Sequence, residues 1–257
     1  RMAFLTGQLL ELARMDADDI MLPGRLKLQR DFLTSHPDTA LVTTRVTPFP
    51  ASQVSAGYQR YIDWLNRSLS HKEIFTDLFQ ESPIPHPSVM CRRDALTAIN
   101  GYRDFDGPED YDLWLRLAMA GFQFARIPDY SLQWRVTPNS LSRQSNRYRK
   151  AAFRRLSWIF TTWFLLKYPK NRGRKIWICG TGKSGRRLYH HLQNNTLNVV
   201  GFIDASKKRI NKKVFNRTTV AYEELAKKEK QRLNQWRHEN PEKMMPKVPA
   251  GERGDKT

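Results

Sequence analysis

The chain has 257 residues, 40% of them hydrophobic and 11% aromatic, which excludes a disordered protein and allows one large or two modest folded domains. Its two cysteines, Cys91 and Cys179, exclude a disulfide framework or a Cys-rich zinc site and point to a reducing compartment. The net charge of +19 is uneven: Tyr130 to Gly201 holds fifteen Lys or Arg and no Asp or Glu, a block suited to an anionic partner.

The apolar run Leu9, Leu10, Leu12, Ala13 reads as a strand, and Pro23 to Ser35 reads as a helix with Pro near its first turn. Between them lie Asp16, Asp18 and Asp19, where a strand of an α/β sheet ends and a ligand commonly binds. Asp16 and Asp18, two residues apart, can both offer oxygen to one hard cation such as Mg²⁺ or Mn²⁺. The alternative is that Asp18 and Asp19 only cap the following helix.

Further on, Thr39–Val46 reads as a strand, Tyr58–Leu69 and His71–Phe79 as helices. Prolines at 83, 85 and 87 hold an extended segment that carries His86, which is either structural or a substrate contact. Ser88–Arg92 reads as a short strand and Asp94–Ile99 as a short helix closed by Asn100-Gly101. Glu109 and Asp110 open a helix that Gly121 stops; they complement its dipole, or one of them is a general base at the mouth of a cleft. Phe122–Ile127 and Ser131–Val136 read as two strands.

Residues 143–172 are basic and then aromatic, as in a helix that lies on an anionic membrane surface or one that links two domains. From Lys175 the order is strand, glycine-rich turn, helix: Gly180, Gly182 and Gly185 match G-x-G-x-x-G, and a second strand ends at Asp204, where a ribose-binding acid would sit. Cofactor binding and a purely structural Rossmann-like role both remain open for residues 173–225; an NAD-type cofactor is not expected. Residues 226–257 read as a frayed helix and a charged, disordered tail. No apolar run reaches the roughly 18 residues of a membrane span. The expected location is cytoplasmic, peripheral at a membrane face if the basic segment binds one.

Taken together, four stretches resemble glycosyltransferase family 2, whose members have a GT-A fold: Arg14-Met-Asp-Ala-Asp-Asp19 with Pro23-Gly-Arg-Leu26, His86–Arg93, Gly107–Arg116, and Arg135 with Ser140-Leu-Ser142. Gly182–Tyr189 and Val200–Asp204 also resemble the C-terminal extension of β-1,3-N-acetylglucosaminyltransferase-like proteins. The fold implied is α/β: the C-terminal part of a GT-A domain over residues 1–142, then a small, incomplete Rossmann-like βαβ unit. Only fifteen residues precede Asp16, so a nucleotide-binding half is expected to be missing and the chain to be a poor or inactive catalyst. Thr137 stands near the place where the family often has a His.

The resemblance implies inverting transfer of a sugar from a nucleotide-sugar donor, such as a UDP-sugar, to a hydroxyl of a saccharide or glycolipid acceptor. Asp16 and Asp18 would hold Mn²⁺ or Mg²⁺, Asp110 would be the base, and Glu109, His86 and Arg135 would contact substrate. The competing function class is a non-catalytic module that binds anions or a membrane surface through residues 143–190. Nucleic acid is not expected, because the aromatic residues cluster instead of alternating with the basic ones.

Overall fold

The computed structural model describes residues 10–137, 145–168, 171, 173–227 and 231. Ser140–Ser142, Leu9 and the tail beyond residue 231, each the subject of an expectation above, lie outside the described residues. The chain divides into two compact units, Arg1–Lys170 and Asn171–Thr257.

In the first unit the elements run β1 (Glu11–Ala13), β2 (Ile20–Met21), α1 (Arg25–Ser35), β3 (Thr39–Phe49), α2 (Ala56–Arg67), α3 (His71–Asp77), β4 (Met90–Arg92), α4 (Arg93–Ala98), α5 (Glu109–Ala120), β5 (Gln123–Arg135) and α6 (Lys150–Lys167). The sheet order is β1-β4-β3-β5-β2; β3 and β5 are parallel and the other neighbours antiparallel. β1 and β2 are therefore opposite edges, and the acidic turn between them carries the chain across the end of the sheet.

The sequence suggests two strands between 122 and 136, and the structure has one. Its register against β3 jumps from Thr44↔Ile127 to Arg45↔Tyr130, so Pro128 and Asp129 lie in a bulge. Pro128 cannot donate to the ladder, which breaks the pattern in sequence without ending the strand.

Short-range rules account for the helices. Ser55 Oγ accepts Tyr58 N–H at 3.2 Å to start α2, Ser70 and Glu73 form a capping box on α3, and Gly121 ends α5 in the left-handed region at φ 92°. The core lies between the sheet and α3, α5 and α6, with Leu41, Ile74, Tyr111, Trp114, Phe124 and Phe160 buried. The α6 aromatics are spent here: the Phe160 ring meets those of Phe75 at 5.4 Å and Phe79 at 4.8 Å. The helix thus buries part of its aromatic face against this core, and of its large apolar side chains Ile159 and Leu166 are the exposed ones.

Two buried arginines brace the loops at the end of the sheet. The Arg25 guanidinium donates to Gln29 Oε1 and to the Arg14 carbonyl, each at 2.9 Å, fixing the entry to the acidic turn from beneath. Arg126 donates to the carbonyls of Leu65, Ser68 and Pro83. Burial lowers both guanidinium pKa values to about 10, so each stays charged at neutral pH.

The second unit has β6 (Ile176–Cys179), α7 (Lys183–Asn194), β7 (Val199–Ile203), β8 (Lys213–Val214) and β9 (Arg217–Val220) in the order β6-β7-β9-β8. β6, β7 and β9 are parallel, and β8 closes a hairpin on β9 through Phe215 and Asn216, both at positive φ. The sequence carries no signal for this hairpin, because Asn211–Thr219 is polar and lacks apolar alternation. Gly185 is required by packing: a Cβ there would lie 1.9 Å from the Gly180 carbonyl oxygen, so α7 starts hard against the glycine turn.

Candidate active site

One cleft of about 590 Å³ in the first unit is lined by Asp16, Asp18, His86, Glu109, Asp110 and Arg135, residues more than a hundred positions apart in the chain. Arg14, Tyr58, Tyr61, Ser82, Trp134 and Tyr148 complete the walls that matter chemically.

The acidic turn does not cap a helix. β2 follows it and pairs with β5, Ile20 opposite Gln133, and α1 begins only at Arg25 with Gly24 as its cap. Asp19, not Asp18, is the structural member. It is 8% exposed, and its Oδ1 accepts the Arg135 backbone N–H at 2.8 Å. Burial, with Asp16 and Asp18 beside it, pushes its pKa up to about 6. Arg135 fastens the same turn through Nε to the Asp18 carbonyl at 2.6 Å, and its guanidinium lies 4.4 Å from the Phe49 ring.

Asp16 and Asp18 are left facing the cleft. Arg14 forms an ion pair with Asp16 at 2.8 Å. Arg14 Nη1 is buried and has no hydrogen-bond partner in the protein, so it is a donor held ready for something else. Among the described residues no group of three or more His, Cys, Asp or Glu side chains is arranged to hold a metal ion. Asp16 and Asp18 alone offer hard oxygen donors of the type Mg²⁺ and Mn²⁺ take, and such ions commonly complete their shell with water and substrate phosphate.

Asp110 is the second residue of α5, whose N-terminus carries no side-chain cap. Its carboxyl is pushed up to about 6, mainly by burial and further by Glu109; Tyr111 N–H, Ser82 and Arg14 oppose the shift. The Ser82 hydroxyl donates to it at 3.3 Å. Glu109 accepts from Tyr148 Oη at 2.7 Å, which ties the residues before α6 to the cleft. Arg147, next to it, donates to the Phe105 and Gly107 carbonyls.

His86 meets Tyr102 Oη at 2.6 Å and packs edge-on against Trp114 at 5.7 Å. Burial and the nearby Arg14 hold its pKa well below the ordinary value, so it is neutral at pH 7. A carboxylate with a pKa of about 6, in one cleft with a neutral His and a second carboxylate, has the chemistry that proton removal from a hydroxyl needs.

Sequence reasoning missed Arg14, Ser82, Tyr148 and the aromatic wall of Tyr58 and Trp134. Arg14 had one usable signal: it sits at the end of a strand, immediately before the acids. Ser82 and Tyr148 had none, since only the fold brings them to Asp110 and Glu109.

In the second unit Gly180, Gly182, Gly185 and Asp204 come together at one loop. Asp204 accepts from Thr181 N–H at 2.9 Å, from Thr181 Oγ1 at 2.5 Å and from Ser206 N–H at 3.0 Å, with Arg209 at 3.4 Å. These donors hold its carboxyl well below the usual carboxylate range.

A mixed sheet closed at its end by an acidic turn and a carboxylate-led helix defines a GT-A-like glycosyltransferase domain. The chain belongs to glycosyl transferase family group 2, whose family model matches residues 12–198. It is 31% identical over 134 residues to the amylovoran biosynthesis glycosyltransferase AmsE of Erwinia amylovora, covering 52% of this chain and 47% of that protein. It is 29% identical to an uncharacterized glycosyltransferase of Haemophilus influenzae, over 51% of this chain and 46% of the relative. It is 24% identical to the UDP-Gal:alpha-D-GlcNAc-diphosphoundecaprenol beta-1,3-galactosyltransferase of Escherichia coli, again over 51% and 46%. The chain thus spans about half the length of the curated relatives it matches. Among the described residues no helix is long and apolar enough to cross a membrane.

Proposed function

We propose that the first unit carries the acceptor and diphosphate side of an inverting glycosyl transfer from a nucleotide-sugar to an acceptor hydroxyl. The observation that carries this reading is the single cleft lined by Asp16, Asp18 and an Asp110 whose pKa is raised to about 6. Asp110 is ionised at pH 7 yet basic enough to take a proton, a contribution typically of about 10²–10⁴-fold. It removes the acceptor hydroxyl's proton as that oxygen attacks the anomeric carbon; the C–O bond to the diphosphate breaks, and the diphosphate leaves from the opposite face. Glu109, held by Tyr148, orients the acceptor, while His86 and the rings of Tyr58 and Trp134 shape its place.

Asp16 and Asp18 would hold Mg²⁺ or Mn²⁺ together with the donor's diphosphate; when bound, the ion supplies Lewis-acid neutralisation of the departing charge. The spare donor of Arg14 and the guanidinium of Arg135 suit the same phosphate oxygens. The Escherichia coli relative's name specifies UDP-Gal and a lipid-diphosphate-linked sugar, and this supports a UDP-sugar donor and a glycolipid acceptor here.

Electron paramagnetic resonance of Mn²⁺ with UDP tests the assignment without turnover. The bound-ion signal is expected with the intact chain and with Asp110→Asn, and is lost in Asp16→Asn/Asp18→Asn. A signal unchanged in the double variant would remove the turn from the site.

A further inference from the structure

The second unit has a cleft of its own, of about 500 Å³, and its chemistry is the inverse of the first. Lys183 and Arg186 come from α7, and Arg209, Lys212 and Lys213 from the segment that leads into β8. Five cations from two chain segments therefore surround one cavity. Arg186 Nε is held by the Thr181 carbonyl at 3.1 Å, and Arg209 is held by Asp204, so two of the five are preset. Among the described residues Lys183, Arg186, Lys212 and Lys213 form no ion pair with a carboxylate.

The floor of the cavity is also built for negative charge. Gly182, the cap of α7, offers no side chain to the first amides of this 12-residue helix, and its first turn contains no acid. A Cβ at Gly180 or Gly182 would meet nothing within 4 Å, so a ligand can approach the backbone closely there. Asp204, by contrast, is saturated by Thr181, Ser206 and Arg209 and has little acceptor capacity left for a ribose diol. The loop therefore offers open backbone and cations to a phosphate but no free carboxylate to a ribose.

We propose that this cleft binds a diphosphate group, with α7 and its amides on one phosphoryl and the 209–213 segment on the other. A free pyrophosphate, a nucleoside diphosphate and the diphosphate of a lipid carrier share that chemistry.

Calorimetric titration of the full chain with inorganic pyrophosphate, at low salt and with chelator present, tests this. Binding should weaken by about tenfold or more in Lys183→Ala/Arg186→Ala and in Lys212→Ala/Lys213→Ala. It should stay within about twofold in Arg187→Ala/Lys207→Ala, exposed cations that do not line the cleft, and in Asp16→Asn/Asp18→Asn. Gly182→Asp separates folding from binding: Asp is a favoured helix cap and fits the open space, so thermal stability should hold or rise while pyrophosphate binding is lost. UDP binding much tighter than pyrophosphate would identify a nucleotide as the source; equal affinity, with pelleting on vesicles that contain a prenyl diphosphate, would identify a lipid. Absence of pyrophosphate binding by the unsubstituted chain, or equal loss in the control pair, overturns the proposal.

Discussion

Asp110 in the first unit and Asp204 in the second are both aspartates at the end of a regular element, and their surroundings drive them in opposite directions. Asp110 is desolvated and receives few donors, so its pKa rises to about 6. Asp204 accepts from Thr181, Ser206 and Arg209, and these donors lower its pKa. A carboxylate with spare acceptor capacity is available to a substrate, whereas one whose lone pairs are filled by its own chain holds a loop.

Rate should separate the two carboxylates most strongly. Asp110→Asn should lower transfer by about 10²–10⁴-fold with little change in donor KM, because the amide keeps the shape and cannot take the proton. Asp16→Asn/Asp18→Asn should cost about 10²-fold or more, with a raised requirement for Mn²⁺, read from initial rates across a metal titration.

Stability should respond with opposite signs in the two units. Unfolded, both carboxyls titrate near 3.8. Asp110 binds its proton more tightly when folded, so its contribution falls as pH rises from about 4 to 6; Asp204 binds its proton less tightly, so its contribution is present above about 4 and is lost in acid. At pH 7.5, Asp110→Asn should therefore raise the melting temperature and Asp204→Asn should lower it. The increase for Asp110→Asn should vanish near pH 4, which differential scanning fluorimetry across pH would show.

The smallest effect is expected from Tyr148→Phe. It removes one hydrogen bond to Glu109 and should change acceptor KM by a few-fold, about 1 kcal/mol, leaving kcat nearly unaltered.

The local features were legible in sequence wherever one rule acts alone. The acidic turn, the Glu109-Asp110 helix with its Gly121 stop, and the glycine turn before α7 could each be placed from periodicity and punctuation. Long-range facts were not legible. Nothing near Arg14 announces that its carbonyl rests on Arg25 or that its side chain pairs with Asp16 inside a cleft shared with Asp110. The α6 aromatics read alike for a membrane surface or for a helix that links two domains, because an apolar stripe records burial and not what buries it. The sequence placed Asp204 correctly at a strand end; its loss of free lone pairs depends on Thr181, 23 residues away, and on Arg209.

We propose that Asp110 removes the acceptor's proton in a cleft where Asp16 and Asp18 face the donor's diphosphate. Release of UDP from a UDP-sugar with Mn²⁺, measured between pH 5 and 8 for the intact chain and for Asp110→Asn, tests it most directly. The rate should climb through an acid limb near pH 6, as Asp110 ionises, and should be about 10²–10⁴-fold lower and without that limb in the variant. Equal rates and an unchanged pH profile in the two proteins would contradict it.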